Sequence, residues 1–271
     1  MQQKKICFIG AGNMSRAIIG GLVKSGYNSA LITATNPSAA KLEALAADYG
    51  INTSHDNLES ASNADVILLS VKPQLMQGVC EALANVIDGK LLITIAAGIP
   101  ESRYHDYFGK QVKLIRTMPN TPMQLGLGMT GLYAPAGISE DDKVFAEHLM
   151  RACGDVVWVA DESGIDKVIA LAGSSPAYFF LFIEAMIEAG VQMGLPEADA
   201  RTLAQQAAVG AAAMVKQNPD LTPAELRANV TSKGGTTAEA IATFEAGGLR
   251  SLVKDAMGNC IKRAEQMAKS F

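Results

Sequence analysis

Short apolar runs alternate with helix-period segments through the first half of the chain. Lys5-Ile6-Cys7-Phe8-Ile9 reads as a buried strand, a glycine turn follows, and helical spacing predicts a helix from about Met14 to Lys24. Ala30 to Ala34 predicts a second strand. Asn36 reads as the N-cap of the next helix, with Pro37 as its first residue. Further strands are expected over Asp65 to Val71, Leu91 to Ala96 and Val112 to Thr117, with helical stretches between them. Two shorter β-like runs, Gly128 to Ala134 and Val156 to Ala160, flank a helix from Ser139 to Arg151 and are expected at the sheet edge. Alternation of this kind predicts a parallel sheet with right-handed crossovers and helices on both faces.

After Asp161 the pattern changes. No strand-like run follows, and helices are expected at about 163–172, 177–193, 197–217, 223–230, 236–246 and 250–268. The fold class is therefore α/β: a doubly wound sheet over residues 1–160, then an all-α domain over 161–271. The helix 177–193 is apolar on most of its circumference (Phe179, Phe180, Leu181, Phe182, Ile183, Met186, Ile187). Such a helix needs burial on several sides, and in so small a helical domain a second subunit is the expected cover. Glu184 and Glu188, one turn apart in the same run, favour a buried or interface helix over a membrane span.

Composition narrows the field. Only 6% of residues are aromatic, so Ala, Gly, Leu, Val and Ile must build the core. A net charge of −4 gives no global field for nucleic acid or an anionic membrane, so neither is an expected partner. Any phosphate must be held by local geometry. The four cysteines, Cys7, Cys80, Cys153 and Cys260, lack the paired spacing of a metal site. They are expected as reduced thiols of a cytoplasmic protein, with Cys7 in the core and no metal bound. The chain enters its first strand within a few residues, with no signal peptide in between.

Gly10-Ala11-Gly12-Asn13-Met14-Ser15 ends the first strand and opens the first helix. The first glycine permits the tight turn, the second lets the backbone approach a pyrophosphate, and the helix N-terminus offers unpaired N–H groups. Ser15 stands where the dinucleotide fingerprint usually has Gly or Ala. In this strand–turn–helix setting the pattern points to a Rossmann-type domain binding a dinucleotide. The second strand ends in Thr35-Asn36-Pro37-Ser38, with Lys41 a turn on and no carboxylate for a ribose 2′-hydroxyl. A carboxylate about 4 Å from a 2′-phosphate would cost on the order of 4 kcal/mol at an effective dielectric near 20. Its absence favours NADPH and leaves NADH open.

The segment Thr222 to Glu239 is the second candidate site. Thr222, Pro223 and Glu225 form a capping-box start to a short helix that stops before Gly234-Gly235. Thr236 and Glu239 repeat the capping-box pattern for the next helix. Free N–H groups there, beside the hydroxyls of Ser232, Thr236 and Thr237, would receive a small anion, chiefly a carboxylate. An ordinary helix–helix turn capped by Thr236 fits the same local pattern.

Val230-Thr231-Ser232-Lys233-Gly234-Gly235-Thr236-Thr237, continuing through Ala240-Ile241 to Phe244-Glu245, resembles the signature segment of pyrroline-5-carboxylate reductases. The likeness runs nearly the whole length. Phe8 to Met14, Ser70-Val71-Lys72-Pro73-Gln74, Ala96 to Ile99, Met118 to Pro122, Pro176-Ala177-Tyr178 and Gly247 to Arg250 match family blocks in order. Ser175 stands where the family often has Gly, and Lys233 where many members have Pro. The resemblance implies reduction of the cyclic imine 1-pyrroline-5-carboxylate to L-proline, the last step of proline biosynthesis. It implies a helical dimerisation domain, at least a homodimer, often a ring of five dimers, and a substrate site between one subunit's nucleotide domain and its partner's helices. Ser232, Gly235, Thr236 and Thr237 would bind the substrate, with the amides of Thr236 and Thr237 on its carboxylate. Asn36 and Asn57 would contact the adenosine end of the cofactor, and Thr35 would be a further cofactor-binding residue. Val71, Lys72, Pro73, Ala97 and Gly98 would line the nicotinamide side mainly through backbone, and Asn229 would reach it as well.

The chemistry this implies asks little of the protein. A positioned hydroxyl near the ring nitrogen suffices for the proton, and Thr237 is the expected catalytic residue. His55, His105 and His148 read as solvated or satisfied, and Lys72 as a backbone contributor. β-Hydroxyacid dehydrogenases share the architecture but use a Lys followed closely by Asn in the helical domain; Lys167-Val168-Ile169-Ala170-Leu171 lacks that Asn. A non-catalytic NADPH sensor would have no use for the 230–237 loop.

Overall fold

The computed structural model describes residues 3–269. Its sheet is built from β1 (Ile6–Ile9), β2 (Ile32–Thr35), β3 (Asn52–Ser54), β4 (Val66–Leu69), β5 (Leu91–Thr94), β6 (Lys113–Met118), β7 (Gly128–Tyr133) and β8 (Gly154–Trp158). Strand order is β3-β2-β1-β4-β5-β6-β7-β8. All neighbours pair in parallel except β6 with β7. Strand order reverses beside β1, and the β1/β4 crevice is where a doubly wound sheet places its ligand.

The helices between these strands are α1 (Asn13–Lys24), α2 (Ala39–Tyr49), α3 (Asn57–Ser62), α4 (Pro73–Leu83), α5 (Glu101–Phe108) and α6 (Glu140–Arg151). Alternation along each strand divides the core into two layers. Ile6, Phe8, Val66 and Leu68 pack with Ile18, Ile19 and Leu22 of α1, Leu45 of α2 and Phe145 of α6. Cys7, Ile9, Ile67 and Leu69 pack on the other face with Met76 and Cys80 of α4 and Tyr104 and Phe108 of α5. Period-2 burial on both faces is what parallel strands covered by helices require. Burial pushes the Cys7 and Cys80 thiols up to about 12, so both are protonated core residues.

The expected edge runs form β7 and β8 around α6. The polar strand β3 has no counterpart in the sequence reading, nor does α3. Two details of the α2 start are corrected. Helix α2 begins at Ala39 with Ser38 as N-cap, not at Pro37 with Asn36 as cap. The main chain of Asn36 is instead tied across to the β3 end: its N–H donates to the Ser54 carbonyl at 3.4 Å.

After β8 the chain is helical: α7 (Gly164–Val168), α8 (Ser175–Gln192), α9 (Glu197–Gln217), α10 (Pro223–Asn229), α11 (Thr236–Ala246) and α12 (Leu249–Ala268). Gly164–Gln192 is one helical run of 29 residues with a π-type turn at Ile169–Gly173, long and apolar enough by length and composition to cross a membrane. Contacts divide the chain into a unit running to Pro176 and resuming at Asn259, and a second unit, Ala177–Gly258. The second unit contains few buried positions. Phe179, Phe180, Leu181, Leu203, Val209 and Leu252 are each at least 60% exposed, so this single chain leaves most of their apolar surface in water. Ser175 lies inside the helical run with negative φ, like every described non-glycine residue, so its side chain meets no backbone conflict there.

Candidate active site

At the C-terminal edge of β1, Gly10 takes φ +108°, and a Cβ there would lie 2.8 Å from the Ser70 carbonyl oxygen. The β1–α1 and β4–α4 turns therefore touch, and only glycine permits it. The hydroxyls of Ser15 and Ser70 lie 2.7 and 3.0 Å from the Gly10 carbonyl and 2.9 Å from each other. Ser15 is fully buried, so at this third fingerprint position the serine locks the turn in place.

Gly12 differs from Gly10. It is the N-cap of α1 with φ −83°, and a Cβ there would meet nothing within 4 Å. The fold has no need of glycine at 12. The N–H groups of Asn13 and Met14 find no backbone acceptor among the described residues. An open helix N-terminus with exposed donors fits a pyrophosphate.

Beside it, Thr35 is buried, its hydroxyl 3.3 Å from the Phe8 carbonyl. Pairing of β2 with β3 sets Thr35 against Ser54 and leads, through His55 and the Asp56 N-cap, into the start of α3 at Asn57. His55 Nδ1 donates to the Asn36 carbonyl at 2.8 Å, which the sequence reading missed because β3 itself carries no apolar signal. On the other side of β1, Val71 leads into α4, whose N-cap is Lys72 and first residue Pro73. Ala97 and the positive-φ Gly98 follow β5. These predicted cofactor residues thus share one edge of the parallel sheet. A groove of about 630 Å³ runs along the flank of α1, but of these residues it includes only Asn13.

In the second unit, α10 opens with the expected capping box: the Glu225 N–H donates to Thr222 Oγ1 at 3.2 Å, and the Thr222 N–H to Glu225 Oε2 at 2.7 Å. Asn229 is exposed in the last turn of this helix. Ser232 to Gly235 form a turn closed by a 3.0 Å bond from the Gly235 N–H to the Ser232 carbonyl, with Gly234 at φ +73°. Helix α11 then begins at Thr236. The second capping box is corrected: Gly235 is the N-cap, Thr236 is already helical, and no side chain caps this end. The Thr236 and Thr237 N–H groups have no backbone acceptor, and the Ser232, Thr236 and Thr237 hydroxyls no partner, among the described residues. Lys233, Gly234, Thr236 and Thr237 are exposed. Unpaired donors at the positive end of an 11-residue helix are the kind of groups to which an anion binds.

Comparison with known proteins agrees with both halves. Residues 162–267 match the family model for pyrroline-5-carboxylate reductase dimerisation. Residues 5–98 match the NADP oxidoreductase, coenzyme F420-dependent, family. A pyrroline-5-carboxylate reductase of Vibrio alginolyticus is 54% identical over the full length of both chains. A solved pyrroline-5-carboxylate reductase from Coxiella burnetii superposes with TM-score 0.93 at 40% identity, covering 98% of this chain and 99% of that one. The Plasmodium falciparum pyrroline carboxylate reductase, solved with NADP bound, gives 0.88 at 28% identity and covers 99% of each chain.

Proposed function

The chain belongs to the pyrroline-5-carboxylate reductase family, and from that premise we propose how its own residues carry out the reaction. The enzyme is a nicotinamide-dependent oxidoreductase that reduces the C=N bond of 1-pyrroline-5-carboxylate to give L-proline, and it works as a homo-oligomer. The observation that carries the residue assignment is the pair of unbonded amides at Thr236 and Thr237, ringed by free hydroxyls. They grip the substrate carboxylate, with Ser232 and the Gly235 backbone completing the receptor.

When bound, the reduced nicotinamide supplies the hydride for C5. Gly10, Gly12, Asn13 and Met14 hold the pyrophosphate, and Thr35, Asn36 and Asn57 the adenosine end. Val71, Lys72, Pro73, Ala97, Gly98 and Asn229 fix the ring. Orientation of this kind converts an encounter into a near-attack geometry, which is most of what imine reduction needs. The Thr237 hydroxyl bonds the ring nitrogen and relays its proton. The cofactor is NADPH, because the end of β2 carries Asn36 and Ser38 where an NADH enzyme would place a carboxylate. Subunits pair through the exposed apolar face of the second unit, with five dimers in a ring, and the reaction runs in the cytoplasm.

Steady-state oxidation of NADPH and of NADH, each with and without pyrroline-5-carboxylate, tests this reading. The expected outcome is substrate-dependent oxidation with kcat/KM higher for NADPH. An enzyme that prefers NADH overturns the cofactor assignment; one that oxidises neither overturns the whole.

A further inference from the structure

The turn Ala97–Pro100 leads from β5 into α5, and the start of α5 has a capping problem. Its N-cap is Pro100, which has no side-chain acceptor, so the first N–H of the helix, on Glu101, must find a partner elsewhere. It finds one 61 residues away: the Glu101 N–H donates to Glu162 Oε1 at 2.6 Å. The same oxygen accepts from Arg116 Nη1 at 2.6 Å. Arg116 lies on β6 directly beside Thr94, the last residue of β5, and its side chain is only 5% exposed. One carboxylate oxygen therefore joins β6, the strand beside β5, to the first turn of α5, which the Ala97–Pro100 turn leads into. Gly98, Pro100, Arg116 and Glu162 line a cavity of about 220 Å³ on this side of the turn. The counter-charge bonded to Arg116 is Glu162, at 2.6 Å, while burial pushes the nearby Asp166 carboxyl above its ordinary value against the pull of the same cation.

We propose that Glu162 is a positioning residue of the reductase: by capping α5 from a distance and anchoring to Arg116, it fixes Ala97 and Gly98 against the nicotinamide. The proposal rests on the assignment of Ala97 and Gly98 to the nicotinamide side of the site. A loosened turn would leave the pyrophosphate grip intact and blur only the ring, so hydride transfer slows while cofactor affinity holds.

Three variants separate this from a purely structural role. Glu162→Ala and Glu162→Gln both deprive Arg116 of its counter-charge, and both are expected to lower the melting temperature. Only Glu162→Gln keeps an oxygen for the Glu101 N–H. Glu101→Pro removes that N–H at a helix position proline suits, and leaves the Arg116 pair in place. Glu162→Ala and Glu101→Pro are expected to lower kcat with pyrroline-5-carboxylate about tenfold. They should also raise the isotope effect on kcat for NADPH deuterated at the transferred position, with the Kd for NADPH little changed. Glu162→Gln should recover most of both quantities at a melting temperature close to that of Glu162→Ala. A wild-type isotope effect in Glu162→Ala or Glu101→Pro, or Ala and Gln variants whose rates simply follow their melting temperatures, overturns the proposal. A crystal structure of the wild-type NADP complex tests the underlying assignment separately: a nicotinamide remote from Ala97 and Gly98 removes that premise whatever the variants do.

Discussion

Gly10 and Gly12 lie two positions apart and are glycine for different reasons. Gly10 is demanded by the fold, through a positive φ and the close Ser70 carbonyl. Gly12 has ordinary φ and open space, so the fold itself does not require glycine there, and the proposed pyrophosphate contact does. Gly10→Ala is expected to cost about 1–3 kcal/mol of stability, read from urea unfolding. Gly12→Asp should hold or raise the melting temperature, since Asp is a strong N-cap. Its carboxylate would oppose the pyrophosphate and raise the KM for NADPH about 10²-fold, given the charge repulsion expected at such distances. Unchanged cofactor kinetics in Gly12→Asp would mean that no phosphate sits at the start of α1. Thr237 is exposed, so Thr237→Ala should leave stability within about 0.5 kcal/mol. It should lower kcat/KM about 10²-fold, with Thr237→Ser close to wild type because the hydroxyl returns. Equal activity in the two variants would remove the hydroxyl from the proton path.

Among the elements, α6 shows how a cap reports on pH. Ser139 accepts from the Asp142 N–H at 3.2 Å and donates to its carboxylate, and Lys4 Nζ lies 3.1 Å from the other oxygen. Burial alone would raise the Asp142 pKa, but the bonds from Lys4 and Ser139 and the charges of Lys4 and Lys113 outweigh it, and the group sits below its ordinary value. A lowered folded-state pKa adds stability that is present above the unfolded value near 3.9 and lost as pH falls through the folded one. Asp142→Asn should therefore be less stable than wild type at neutral pH, with the gap closing below about pH 4 in urea titrations. A gap that persists at pH 2 would assign the loss to packing rather than to charge. The same scale shows where sequence patterns mislead. Thr236 and Glu239 have capping-box spacing, yet the turn at Gly234 delivers Gly235 to the cap position. Asn36 likewise resembles a cap, but pairing with the β3 end commits its main chain first.

For the whole molecule, the decisive feature is a second unit with too little interior. Its large apolar residues face outward in the single chain, and the matched dimerisation family supplies the reason. Phe180→Glu, at a position 64% exposed in α8, should yield monomers by sedimentation and lose imine reduction. NADPH binding to the first unit should survive. A fully active dimer from this variant would remove Phe180 from the subunit interface. The sheet unit needs no such help, because helices cover both of its faces.

Local periodicity carried a large part of this protein into its sequence. The apolar runs of β1, β4 and β5, the glycine turn at 10–12 and the signature at 230–237 are properties of neighbouring residues, and each is readable without coordinates. The fold class and the two candidate sites follow from them. Tertiary structure decided what depends on residues far apart in the chain. It paired the polar strand β3 with β2 and thereby set His55 beside Asn36; it closed Ser15 and Ser70 over Gly10; and it joined Glu101, Arg116 and Glu162 through one oxygen. Those contacts rest on through-space pairing of polar groups, which leaves no period in the chain to read.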